Sequence, residues 1–329
     1  MRFSLRLNND LPLAQYIALA QAAEAAGFDQ FWVSHDLFLR SSPVILTAVA
    51  QATTHLQIGC GIFNPYTLNP AELAMLAATM DELSHNRFNL GLAAGAGDFL
   101  GWIGLEQKRP LTALRETIHV IRKLLAGETA EFSGHFLHWS HEAYLRFPAP
   151  RVTPIYLGAM GPKMLALAGE VADGVLPLLF PPEHYFAVKP LLEAGMAHRS
   201  ADLGPLDFAA CIWLSLAADS AAARHVLAQK IAYYGPSLSP LILSQLGLTP
   251  EDFAPIRQAL HSQRDEAKAV QLVDERMLRI GVVGRPKEVI ARLEPLVAAG
   301  AQHLSFGPPL GPDPLTAVKL LGQVIHHFH

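Results

Sequence analysis

The residues best placed to do chemistry form one turn, Gly158-Ala159-Met160-Gly161-Pro162-Lys163. It lies between an apolar run at Pro154–Leu157 and a helical pattern that starts at Met164. Gly158 and Gly161 bracket the turn, and Pro162 suits a first helical position because its φ is already set. Such a turn aims free backbone N–H groups out of a helix start, where a phosphate is favoured. Lys163 adds a positive charge. The same residues also spell an ordinary strand–helix turn with glycines for geometry.

Further candidates follow other apolar runs. His35-Asp36 comes after Phe28–Val33. As strand neighbours the two point to opposite faces, so only one is expected to face a site. Gly61-Ile62-Phe63-Asn64-Pro65, Gly95-Ala96-Gly97-Asp98 and Gly307-Pro308-Pro309 complete the set. These stretches carry almost no charge. Acid–base chemistry normally gathers several carboxylates, histidines or lysines. An apolar, backbone-rich surface suits a site that holds a flat aromatic cofactor and lets the cofactor react. The histidines show no zinc-type spacing, and His326, His327 and His329 read as a solvated end, so no metal is expected. Neither a dinucleotide fingerprint after the first strand nor a nucleophile elbow or P-loop occurs.

The elements that would position these loops alternate. Strands are expected at 2–7, 28–33, 56–59, 87–93, 154–158, 173–178, 207–215 and 301–306. Helices are expected at 12–26, 43–53, 70–84, 110–126, 162–171, 183–197, 220–234 and 313–327. Strand–helix alternation signals parallel βαβ units, and eight of them suit an α/β fold of the (β/α)8 barrel type. A doubly wound open sheet is the runner-up. A hairpin near 128–150 and a helical segment near 235–285 interrupt the pattern, and 286–299 is a further helix. Insertions of this length shape the active-site end or an oligomer contact. The chain reads as one domain, 1–329.

Composition agrees with a large core. Of 329 residues 51% are hydrophobic and only 16% charged, against about 25% charged on average. The formal net charge of −4 gives no basic surface for nucleic acid or anionic membrane. Cys60 and Cys211 sit in separate apolar runs and read as buried thiols in a reducing compartment. The start, Met1-Arg-Phe-Ser-Leu-Arg-Leu7, alternates polar and apolar residues and reads as a strand, not a signal peptide. No apolar run is long enough to span a bilayer. A cytoplasmic protein is expected, working on a small-molecule substrate, as a homodimer with 235–285 as its contact or as a lid.

Taken in order, several segments resemble the luciferase-like flavin- and deazaflavin-dependent oxidoreductases, above all their methylenetetrahydromethanopterin reductase-like branch. They are Ala22–Val33, Gly61–Thr67, Ala78–Ser84 with Arg87–Leu92, Pro110–Glu116, Tyr156–Leu165 with Ala168–Gly174, and Phe306–Gly311. The resemblance implies a barrel with a flavin-type cofactor at its mouth. It implies that Gly158, Ala159, Met160, Gly161, Pro162 and Lys163 hold the cofactor phosphate. It places Gly61 and Ile62 where a non-proline cis peptide backs the ring, with Asn64 and Gly95 beside them. It makes Asp36 the acidic residue near ring or substrate, and Gly307 and Pro308 the last loop around the site. The chain departs from the family at Leu68-Asn69-Pro70, where many relatives read Arg-His-Pro. The implied activity is hydride transfer between the deazaflavin coenzyme F420 and a small organic substrate. The alternatives are an FMN-dependent monooxygenase, a flavin-binding protein without turnover, and an unrelated phosphate-binding barrel enzyme.

Overall fold

The structure is a computed structural model that describes all 329 residues. Its first half alternates β1 (Arg2–Leu7), α1 (Leu13–Ala25), β2 (Gln30–Val33), α2 (Ser42–Ala52), β3 (Gln57–Cys60), α3 (Pro70–Ser84), β4 (Phe88–Leu92), a short α4 (Gly97–Gly101) and α5 (Pro110–Leu125). A small antiparallel hairpin, β5 (Phe132–Ser133) and β6 (His138–Trp139), comes next. Then follow β7 (Ile155–Leu157), α6 (Pro162–Val171), β8 (Gly174–Val175), α7 (Tyr185–Met196), β9 (Asp207–Leu216) and α8 (Ser220–Tyr234). The helical insertion holds α9 (Pro240–Ser244), α10 (Ala254–Arg257), α11 (Glu266–Gln271) and α12 (Glu275–Leu278). The chain ends with β10 (Val282–Gly284), α13 (Pro286–Ala298), β11 (His303–Leu310) and α14 (Pro314–Phe328).

The strands pair in parallel in the order β11-β1-β2-β3-β4-β7-β8-β9, and β9 returns to β11, which closes the (β/α)8 barrel. The seam is formed by β1 and β11, with Ser4 opposite Ser305 and Leu5 opposite Phe306. Parallel strands covered on both faces must be apolar nearly throughout; β2 and β4 are buried at every position. Prolines open α2, α3, α5, α6, α13 and α14, where a missing N–H is harmless. The outer helices bury their apolar stripes in one large core that includes Phe3, Phe31, Phe88 and Phe306. A second apolar cluster, around Phe253 and Ile256, holds the insertion against α8 and Trp213.

The structure corrects several boundaries. A ninth strand, β10, lies in what reads as wholly helical sequence and pairs with the end of β9, Val282 opposite Leu214. Within the insertion, Pro250–Gln263 is one continuous helical run that ends at Arg264 in the left-handed region, whereas the stretch after Asp265 breaks at Leu272–Asp274 into α11 and α12. The hairpin pairs only at 132–133 and 138–139, and Tyr144–Phe147 is irregular. The strand expected at 173–178 is regular only at Gly174–Val175, with one further bridge from Leu178 to Cys211. Gly307 and Pro308 belong to β11 itself, which runs on to Leu310 through a register shift.

Candidate active site

The barrel interior carries a polar column on its seam side. At its base Asp207 lies between the His303 Nδ1 at 2.9 Å, the Tyr156 hydroxyl at 2.7 Å and the Arg2 guanidinium at 2.9 Å. Burial alone would raise the Asp207 carboxyl, but His303, Tyr156 and Arg2 outweigh it and hold the group well below the usual carboxylate range. The column rises from His303 Nε2 to Ser4 Oγ (2.9 Å), from Ser4 to Ser305 Oγ (2.7 Å), and from Ser305 to Arg6 Nε (3.1 Å). Beside it Trp32 donates to Gln30 Oε1 at 2.9 Å and packs edge-on against Tyr156.

Above this floor, at the C-terminal ends of the strands, opens a cavity of about 570 Å³. It is where barrels of this kind place their sites. Asp36, Gly61, Ile62, Asn64, Gly95, Gly158, Ala159, Met160 and Gly161 all line it, together with Arg6 and His35. The Gly61–Ile62 peptide is cis. Leu176 and Leu178 add to the apolar wall, and Met160 Sδ accepts the Leu178 N–H at 3.4 Å. Pro162 and Lys163 open α6 just outside the lining, both exposed. A Cβ on Gly161 would meet no atom of the protein, so the space over this helix start is open.

The loops are held by side chains that the sequence reading passed over. Asn9 is buried; its Nδ2 donates to the Asp36 and Arg40 carbonyls at 3.0 and 2.7 Å, and its Oδ1 accepts the Asp36 N–H at 3.2 Å. Asp36 thus presents its exposed carboxylate from a fixed backbone, with Ser34 Oγ donating to it at 2.9 Å. The chain has left the strand at Val33, so the alternation rule fails here and His35 and Asp36 both face the cavity. His35 Nδ1 lies 2.6 Å from Ser42 Oγ and its ring tilts against Phe63. Burial lowers its pKa, with Asp36 opposing weakly. The shift favours the neutral imidazole.

Asn64 ties the loops after β3 and β4 together. Its Nδ2 donates to the Ala94 carbonyl at 2.9 Å and its Oδ1 accepts the Tyr66 N–H at 2.8 Å. Gln107 reaches the Ala94 and Gly95 carbonyls at 3.1 and 2.8 Å. Gly95 sits at φ +72°, and a Cβ there would lie 2.2 Å from Asn64 Nδ2; glycine alone fits. Asn69 in the departed segment caps α3 by accepting the Ala71 N–H at 2.9 Å, and Leu68 packs on the core.

Two expected site residues lie elsewhere. Gly307 is buried in β11 beneath the Arg6 guanidinium, and Pro308 lines a smaller neighbouring cavity with Lys230 and Tyr234. Arg6, which brings a positive charge to the main cavity alongside the expected Asp36, is absent from the sequence reading, although the period-two pattern Arg2, Ser4, Arg6 on the first strand is its signal.

A family profile described as luciferase-like monooxygenase matches residues 1–303. The chain is 31% identical over 329 residues to a 5,10-methylenetetrahydromethanopterin reductase of Archaeoglobus fulgidus, covering 99% of this chain and 98% of the relative. It is 32% identical to the enzyme of that name from Methanolobus tindarius, with 99% of each covered. The solved coenzyme F420-dependent tetrahydromethanopterin reductase from Methanopyrus kandleri superposes with a TM-score of 0.92 at 30% identity, over 100% of this chain and 99% of that one.

Proposed function

The chain belongs to the luciferase-like monooxygenase family, and from that membership we propose that it is an oxidoreductase that moves a hydride between coenzyme F420 and a small organic substrate. The observation that carries this reading is the character of the mouth cavity: apart from Arg6, His35 and Asp36 on one side, its wall is largely backbone and apolar side chains, with an open glycine turn at one edge. The full-length relatives named as F420-dependent or methylenetetrahydromethanopterin reductases support the choice of cofactor.

The residues present fit such a group. The open helix start at Gly161, with Lys163 beside it, suits a phosphate by its free N–H groups and dipole. Gly61, Ile62 and Leu176 offer a flat apolar wall for a ring. When bound, the coenzyme supplies or accepts the hydride. The protein binds, orients and excludes water. Asp36, fixed through Asn9, offers one carboxylate at the mouth to orient a polar group of the substrate. His35, neutral and anchored on Ser42, packs the wall behind it. The same reading includes a cytoplasmic homodimer; exposed Tyr233 at the end of α8 and exposed Leu241 in the helical insertion support the dimer, and analytical ultracentrifugation tests it.

The test is titration of the purified chain with coenzyme F420 and with FMN, followed by fluorescence, for the natural sequence and for Gly161→Asp. F420 is expected to bind, and Gly161→Asp to remove that binding while the melting temperature holds, since its Cβ meets only open space. Tight FMN binding without F420 binding would overturn the assignment.

A further inference from the structure

Two cations near the cavity have no carboxylate partner. Arg6 donates Nε–H to Ser305 Oγ at 3.1 Å and makes only a long 3.5 Å contact from Nη2 to the Ile212 carbonyl. The half-buried guanidinium lines the main cavity with its remaining N–H groups unspent. A Cβ on Gly307 would come within 2.5 Å of Nη2, so Gly307 is the notch in which the guanidinium lies. Gly307 faces Trp213 across β11 and β9. On the Trp213 ring, 5.1 Å from its centroid, rests the Lys230 ammonium, which also lies 4.7 Å from the Tyr234 centroid. Lys230 is half-buried as well; burial first, then the Arg6 charge, lowers its pKa to about 8, with Asp10 opposing. The acidic groups nearby are Asp10, exposed at the rim of the smaller cavity, and Asp36, held by Ser34. Neither pairs with either cation.

Holding like charges together and partly out of water is unfavourable unless an anion joins them. An aromatic face eases the cost for Lys230 but does not neutralise it. The pair lies on the β1, β9 and β11 side of the mouth, whereas the glycine turn proposed for the cofactor phosphate follows β7. We propose that Arg6 and Lys230 form a subsite for an anionic group, a carboxylate or a phosphate, carried by the substrate. The enzyme thus selects acids over neutral analogues. Naming the anion's owner as the substrate rests on the function proposed above.

The experiment uses the chain saturated with coenzyme F420, so that the 158–163 turn is filled. It is titrated calorimetrically with inorganic phosphate and with acetate, alongside Arg6→Gln, Lys230→Gln and Gly307→Ala. At least one anion is expected to bind, and each substitution to weaken it by about tenfold or more, the loss of one charge-assisted contact. F420 affinity should not change in Lys230→Gln, whose side chain lies outside the main cavity. Gly307→Ala acts by displacing the far end of Arg6, so it tests the site should Arg6→Gln fold poorly. Acetate binding alone would mark a carboxylate substrate, and phosphate binding alone a phosphate. The proposal fails if neither anion binds, if the variants bind them as the natural chain does, or if Arg6→Gln weakens F420 and not the anions. Should F420 itself not bind while anion binding to the cofactor-free chain still depends on Arg6 and Lys230, the proposed function falls and the subsite stands.

Discussion

Gly95→Ala probes how the cavity wall is held. The residue sits at φ +72°, a conformation that costs an L-residue about 1–2 kcal/mol. Its new methyl would overlap Asn64 Nδ2 at 2.2 Å and dislodge the 2.9 Å bond to the Ala94 carbonyl, worth about 1 kcal/mol. The combined penalty is about 2–3 kcal/mol. If the folded loop bears it, a chain of 329 residues loses only about 3–4 °C in melting temperature, from ~2.1 cal/mol/K of unfolding entropy per residue. If the loop instead shifts to escape the strain, the cost appears in cofactor affinity, up to about 30- to 150-fold. Calorimetric melting and F420 fluorescence titration read the two routes separately. Gly97→Ala is the control: its Cβ meets nothing within 4 Å, so it should be neutral or stabilise by about 0.4–1 kcal/mol. Equal behaviour of the two variants in both assays would refute the reasoning.

His35 should titrate below its ordinary ~6.5, since burial lowers its pKa. The stability it lends is complete above that value and declines as pH drops through it; an NMR difference titration against His35→Gln with a midpoint above 6.5 would contradict this. Asp207 has a depressed pKa, so its contribution is present above the unfolded value near ~4 and is lost as pH falls below it. Asp207→Asn should be less stable at neutral pH and lose less on acidification, and parallel urea midpoints for both chains would argue against the column. Lys163→Ala, at an exposed position, should weaken F420 by only a few-fold, about 0.5–1 kcal/mol; a loss as large as that of Gly161→Asp would mean that the lysine and not the backbone holds the phosphate.

The barrel was legible because its signals are periodic and local: apolar runs of strand length, glycine after helices, proline at helix starts. Strand β10 was not, since Val282-Val-Gly284 is too short to display a period and earns its place only by pairing with β9. At the site, the glycine turn and the Gly61–Asn64 loop were readable as segments. The side chains that hold the neighbouring loops were not, because Asn9 bonds Asp36 and Gln107 bonds Gly95 from other segments, which no local pattern announces. Arg6 is the instructive case. Its alternation with Phe3, Leu5 and Leu7 marks an inward polar face once the strand is known to belong to a barrel, and only closure makes that inference available. Gly307 shows the opposite failure: a glycine in the right loop order whose geometric task is to admit an arginine.

The seam column has a consequence for the order in which the molecule comes into being. Ser4 and Ser305 touch across a separation of 301 residues, and His303 with Ser4 across 299. During synthesis the first strand is made well ahead of β11, and Ser4 must wait for that strand before it finds its partners. Contacts this distant in sequence form late and slowly. Until then Arg6 has neither Ser305 to accept its Nε–H nor Gly307 to lie against. The nascent barrel can pack much of its outer shell while its seam stays open, and the charge proposed to choose the substrate is set in place only when that seam shuts.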